Sequence, residues 1–155
     1  MKELIQHFET NSQNYQSLFN LLESKERQDQ SDTEKVASLS DFISIQLAIE
    51  DEIVEFRLKK ILEEEHPYIP RINVDRYKSS KRKYGERISD IKDEFFRLRR
   101  DLINLLSGTP TDHWKRTGVH EQEGHVSFYE FVRRLVKKDD RNIHYLMEQL
   151  NIQQN

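Results

Sequence analysis

Two amides and an ammonium interrupt runs of apolar residues that otherwise keep helical spacing. Gln46 falls between Leu39 and Phe42 on one side and Ile49 and Ile53 on the other, and Lys138 and Asn142 fall between Leu135 and Leu146. Lys138 and Asn142 are four apart, so on a helix they stand one turn above another on a single face. A buried polar group without a partner costs about 1–3 kcal/mol. Two helices that turn such groups toward one shared space relieve that cost. The result is either a satisfied polar layer that fixes helix register or the floor of a ligand or catalytic pocket. Asp139, beside Lys138, reads as its internal ion-pair partner or as a cap for a loop.

A second concentration of chemistry lies between the last two helical stretches. Residues 109–126 hold the only tryptophan, Trp114, together with Arg116, His113, His120, His125, Gly118 and Gly124. Loops of this length inside a compact domain are uncommon and are often functional. Two readings of Trp114 are compatible: it lines a pocket under a loop draped over the helices, or it plugs one end of the core. His120 either hydrogen-bonds to a helix or to the loop backbone, or it orients a ligand. Arg116 either pairs with an acidic surface residue or binds an anionic ligand. The remaining histidines, His7, His66, His113, His125 and His144, read as surface or loop residues.

Four main helices must position these residues. The first is expected over residues 2–25, with Leu4, Ile5, Phe8, Tyr15, Leu18, Phe19 and Leu22 at the helical period and Asn11 and Asn14 weakening its middle. The second is expected over 38–65, opened by Ser38 with Asp41 or earlier by Ser31 with Glu34, and stopped by the segment His66 to Pro70. A crossing segment follows, with a short helix near Asp75 to Ser80. The third is expected over 87–107, with Ile88, Ile91, Phe95, Leu98, Leu102, Leu105 and Leu106 inward, ended by Gly108 as a left-handed cap with Pro110 shortly after. The fourth opens at Ser127, which forms an S-x-x-E capping box with Glu130, and runs to about Leu150.

Composition agrees with long helices. In 155 residues there are four Gly and three Pro, too few for a turn-rich sandwich or barrel. Leu, Ile, Val and Phe supply 43 of the 155 positions, enough for a lean core in one domain spanning residues 1–155. Charged residues make up 34% of the chain, yet the net charge is −3, so the sequence does not look like that of a nucleic-acid binder. Clusters such as RLRRD and VRRLVKKDDR are interleaved with acidic residues and read as solvated helix faces. The absence of cysteine excludes disulfides, a thiolate nucleophile and Cys-based zinc sites. No apolar run approaches the roughly 20 residues of a membrane span, and the first residues lack the apolar centre of a signal peptide. A cytoplasmic protein with no membrane partner is the expectation.

The stretch Trp114-Lys-Arg116-Thr-Gly118-Val-His120-Glu-Gln-Glu-Gly124-His-Val-Ser127 resembles the W-x-R-x-[GA]-x-H-x3-G-x2-[ST] signature of the DinB-like (YfiT-like) superfamily. The segment QLAIEDEIVEFRLKKILEEEHPYIP resembles that family's second helix and its Pro-containing exit, and FFRLRRDLINLL its F-x-x-L-R element. The resemblance spans about Ser38 to Leu150 and implies an all-α four-helix bundle of up-down-down-up connectivity with long crossover loops. Many members hold a divalent metal, often zinc or nickel, with one histidine on helix two and an H-x3-H pair on helix four. An open coordination position then activates water or a thiol. Counted from Gly124 and Pro67, those three positions fall here on Gln46, Lys138 and Asn142, and the family's following Asp matches Asp139. A shift by one residue brings Ile45, Leu47, Asp140 or Ile143, and no histidine. Protonated lysine has no lone pair to give a cation. No metal cofactor is therefore expected.

Three functions remain open from the sequence. One is a metal-free binding module in which Lys138 replaces the metal's charge, Gln46 and Asn142 supply hydrogen bonds, and the guest is a small anion such as a carboxylate. The second is a divalent-metal-dependent thiol S-transferase or hydrolase resembling bacillithiol transferases, with Asp139 and His120 forming a substituted site. The third is a dimeric interaction protein with a vestigial pocket, a homodimer being the expected assembly.

Overall fold

The computed structural model describes residues 1–28, 33–80 and 87–152. The alternative helix start at Ser31, part of the crossing segment (residues 81–86) and the end of the polar tail (residues 153–155) lie outside them. The chain is mostly helical, of the all-α class, with a small three-stranded sheet. Among the described residues, no helix is long and apolar enough to cross a membrane.

The first rod is α1, Lys2–Gln28. Phe8, Asn11, Tyr15, Leu18, Phe19 and Leu22 are its buried residues, at the three- and four-residue steps of one helix face. The second rod is composite. α2 (Thr33–Glu52) runs into a π-helical turn, Ile53–Leu58, and then α3 (Lys59–Glu63). The wide turn is marked by the Lys59 amide, which donates to the Val54 carbonyl five residues back. Such π-turns are frequent at functional sites. The rod therefore starts five residues before Ser38.

The third rod, α4, is Ile88–Gly108, and the fourth, α5, is Phe128–Gln149. Both lie within a residue or so of their expected limits. Ser127 caps α5 by accepting from the Glu130 amide at 3.1 Å. The reciprocal arm of the expected capping box is missing, because the Glu130 carboxylate is held by Arg133 and Arg134. Gly108 is not a left-handed cap. It closes the helix in ordinary helical conformation, Thr109 turns the chain into extended backbone, and the Thr109 hydroxyl donates to the Leu105 carbonyl at 2.7 Å.

Two apolar clusters fill the space between the rods. One gathers Tyr15, Phe19, Leu39, Ile43, Ile91, Phe95, Ile143 and Leu146 from all four rods. The other gathers Phe8, Leu58, Ile61, Leu102, Trp114, Phe128 and Val132 toward the opposite end.

The expected loop between the last two rods is largely ordered as a 3-10 turn, Thr111–Lys115, and a hairpin of β2 (Thr117–His120) and β3 (Gly124–Ser127). Gly124, with φ 73°, supplies the left-handed residue that the short turn needs. The exit of the second rod adds β1 (Tyr68–Ile69) in parallel to β2. The Val119 amide donates to the Pro67 carbonyl at 2.7 Å, and the Glu121 amide to the Ile69 carbonyl at 3.0 Å. A second 3-10 helix, Val74–Ser80, packs against α2 where a short helix was expected.

Gly118 makes this clasp close. A β-carbon there would stand 2.7 Å from Ile69 Cγ1 and 3.2 Å from Ile61 Cγ1, both in fully buried side chains. Gly118→Ala is expected to cost about 1–3 kcal/mol by overpacking. Gly108→Ala, where a β-carbon meets nothing within 4 Å, should be neutral or mildly stabilising. Urea unfolding of the two variants side by side checks this contrast.

Candidate functional site

Each of the four rods turns one polar residue into the core at the same level: Asn11 from α1, Glu50 from α2, Arg99 from α4 and Asp139 from α5. Arg99 sits at its centre, 2% exposed. Its two terminal nitrogens grip Asp139 at 2.9 and 2.8 Å, and one of them also donates to Glu50 Oε1 at 2.9 Å. Asn11 Nδ2 donates to Asp139 Oδ2 at 2.8 Å and to Asp140 Oδ1 at 2.9 Å, where His7 Nε2 also arrives at 2.8 Å. The guanidinium is boxed by rings, with its carbon 4.9 Å from the Phe95 ring centre and 5.1 Å from that of Phe8. Planar delocalised charge suits both the forked carboxylate bonds and the ring faces.

Burial sets the proton affinities in this layer. It pushes the Glu50 carboxyl above the usual range, against the pull of the Arg99 charge. It pushes the Tyr15 hydroxyl up as well, and the Asp139 charge adds to that. Arg99 is held more firmly in its charged form than a free arginine, because the attraction of Glu50 and Asp139 outweighs its burial. Glu50 Oε2 and Arg99 Nε are buried without a hydrogen-bond partner among the described residues.

Above the layer lies a cleft of about 410 Å³, part of it open to solvent. Gln46, Glu50, Arg99, Lys138, Asp139 and Asn142 line it, with Phe42, Phe95 and Leu135 among its apolar walls. Asn142 Nδ2 reaches Gln46 Oε1 at 3.4 Å, a long contact that leaves both amides with bonding capacity to spare. The Lys138 ammonium makes no ion pair or hydrogen bond among the described residues. Burial is the largest influence on it and lowers its pKa to about 8; the Arg141 charge acts in the same direction, and the Glu50 and Asp139 charges act against it.

Four of the residues singled out from the sequence, Gln46, Lys138, Asp139 and Asn142, therefore meet at one cleft. Asp139 does so with a different partner from the one expected. It pairs with Arg99 of α4, not with its neighbour Lys138, whose side chain leaves the helix at a different angle. The three loop residues do not join them. Trp114 is 3% exposed and packs edge-on against Phe128, with ring centres 5.1 Å apart, so it plugs the core and lines neither this cleft nor the one beside it. Arg116 pairs with no acidic side chain. Its Nε and terminal nitrogen donate to the carbonyls of Ile61 and Glu64 at 2.9 and 2.8 Å, capping the end of the second rod. His120 Nδ1 faces the amides of Gln122 and Glu123 at 3.2 and 3.3 Å, which stiffens the hairpin turn, and its ring borders the neighbouring cleft.

Glu50, Arg99 and Asn11 were not singled out from the sequence. The signal was present: Arg99 lies four after Phe95 and three before Leu102, and Asn11 lies three after Phe8 and four before Tyr15, all buried positions. A stripe traced through apolar residues alone steps over them.

The donor set does not fit a resident metal. The positions that the resemblance assigns to ligands carry two neutral amides and an ammonium, and the carboxylates nearby are committed to Arg99. Among the described residues, no group of three or more His, Asp or Glu side chains is arranged to hold a metal ion. Among the described residues the cleft offers the Lys138 ammonium without a direct hydrogen bond or ion pair, two amides, the Arg99-bound carboxylates of Glu50 and Asp139, and apolar walls, a set able to orient a small polar guest. In comparisons with protein-family models, curated proteins and solved structures, nothing matches this chain.

Proposed function

We propose that the chain is a DinB-like bundle, up-down-down-up in connectivity, that binds a small anionic molecule in its central cleft in place of a metal. The observation that carries this reading is the unpartnered, half-buried Lys138 ammonium flanked by Gln46 and Asn142. Glu50 and Asp139 lie near enough to attract this ammonium, yet burial outweighs them, and an anionic guest that bonds it directly offsets the remaining cost. The hairpin and its clasp to the second rod support the resemblance in the loop, since Arg116 and Gly118 of the signature hold the lid to the bundle. The reading of the protein as a metal-dependent thiol transferase requires imidazoles that these positions lack.

Propionate and benzoate, titrated into the full chain and followed by calorimetry and by the Asn142 side-chain amide resonances, test the proposal. Saturable 1:1 binding is expected at pH 7. The affinity should hold below pH 8 and fall as pH rises above it, as Lys138 loses its proton. Gln46→Leu with Asn142→Leu should weaken binding by about 1–3 kcal/mol. Absence of saturation, or equal binding by Lys138→Met, refutes it.

A further inference from the structure

A second cleft adjoins the first and shares Leu135 and Lys138 with it. It encloses about 780 Å³, part of it open to solvent, between the exit of the second rod, the hairpin and α5. Five cationic side chains border it, Arg57, Arg71, Arg134, Lys138 and Arg141, and no carboxylate does. Two of the five are already engaged. Arg57 is held by Glu52 at 3.2 Å and by the Pro70 carbonyl at 3.1 Å, and Arg134 by both oxygens of Glu123 at 2.6 and 2.8 Å. The side chains of Arg71, Lys138 and Arg141 have no ion pair or hydrogen bond among the described residues. Arg141 stands close enough to Lys138 to depress its proton affinity. Three cations from two separate parts of the chain thus border one space. His120 also borders it, and the rest of the wall is apolar, with Ile53, Ile72 and Phe131.

We infer that this second cleft binds an organic phosphate monoester, its dianionic head between Arg71, Lys138 and Arg141 and its apolar body along Phe131, Ile53 and Ile72. A single carboxylate balances only one of the three charges, whereas a phosphate dianion balances two. Its oxygens also accept from two guanidinium forks and an ammonium at once. The inference depends on the central-cleft reading only through Lys138, and the two fail separately.

Hexyl phosphate, inorganic phosphate, hexanoate and succinate are titrated calorimetrically into the full chain at fixed ionic strength. Vesicles of phosphatidylcholine with and without phosphatidate form a parallel arm. Hexyl phosphate is expected to bind 1:1, more tightly than inorganic phosphate, which lacks the apolar body, and than hexanoate or succinate. The double variant Arg71→Ala/Arg141→Ala should lose about tenfold or more in affinity for hexyl phosphate while keeping propionate binding. Arg100→Ala, an exposed charge on α4 remote from this cleft, should leave hexyl phosphate binding unchanged. Gln46→Leu with Asn142→Leu should weaken propionate binding and leave hexyl phosphate binding unchanged. Equal binding of succinate, or of hexyl phosphate by the double variant, overturns the inference. Binding to phosphatidate vesicles without binding of the soluble ester overturns it too, since the cations then read a lipid surface.

Discussion

Arg99→Met should unfold at much lower denaturant than the parent chain, with a loss of about 3–5 kcal/mol. The substitution keeps a long unbranched side chain among Phe8, Tyr15 and Phe95, so little packing is removed. What is lost is the charge that compensates Glu50 and Asp139, both almost fully enclosed. For a chain of this size the midpoint of thermal unfolding should fall by roughly 6–20 °C. Arg99→Lys should recover little, because one ammonium cannot make two parallel bonds to Asp139 and also reach Glu50. Acid should help the Met variant. Burial already holds the Glu50 carboxyl above its ordinary range; with Arg99 gone its opposing pull is lost, so the folded state takes up a proton there before the unfolded chain does and gains stability as pH falls through that range. Replacing all three charged groups by apolar residues of similar volume should restore most of the loss. Guanidinium unfolding at two pH values measures all of this, and a loss below about 1 kcal/mol for Arg99→Met would show that the layer contributes little.

Lys138→Met should do the opposite and raise stability at pH 7 by about 1–3 kcal/mol, or roughly 2–12 °C in midpoint. Solvent screens a half-buried group, which keeps the gain below the full proton-affinity shift. The sign follows from the direction of that shift. Burial lowers the Lys138 pKa to about 8 from an ordinary 10.5. Below pH 8 the ammonium is charged in both states and the folded chain bears the cost of enclosing it. Between about pH 8 and 10.5 the folded state sheds the proton first, so that cost is relieved. The advantage of the Met variant should therefore be largest at neutral pH and vanish toward pH 10.5. The same variant should lose anion binding at both clefts. A residue that weakens the fold and strengthens binding is the pattern expected of a functional site. A Met variant no more stable than the parent at pH 7 would mean that Lys138 is already satisfied.

These two residues also show how far the sequence could be read. The rods were legible because their buried positions keep the helical period, and α4 and α5 lie within a residue or so of where Ile88, Phe95, Ser127 and Phe128 place them. Lys138 was legible because it breaks a run of apolar residues next to Leu135. Arg99 was not, because Leu98 beside it offered an apolar residue for the stripe, and only the partner carboxylates on other rods explain why the charge turns inward. The π-turn at Ile53–Leu58 was hidden for a related reason: one extra residue in a turn barely disturbs apolar spacing. The hairpin was overlooked although the EQEG segment carries its signal. A glycine closing a short polar turn is a hairpin cue, but strands of four residues with a single apolar member each, Val119 and Val126, scarcely alternate.

The parallel pairing of β1 with β2 has a consequence for the nascent chain. The two partners are separated by the whole of α4, so on a ribosome adding about 5–20 residues per second the exit of the second rod emerges seconds before its mate. During that interval its backbone edge is open to any strand that passes. Pro67 and Pro70 bracket it closely: Tyr68 and Ile69 are its paired residues, and Pro67, which has no amide hydrogen, contributes only its carbonyl. Proline beside a waiting edge shortens the template that an intruder could extend. The two prolines beyond the end of the second rod thus guard an unfinished seam against the wrong neighbour.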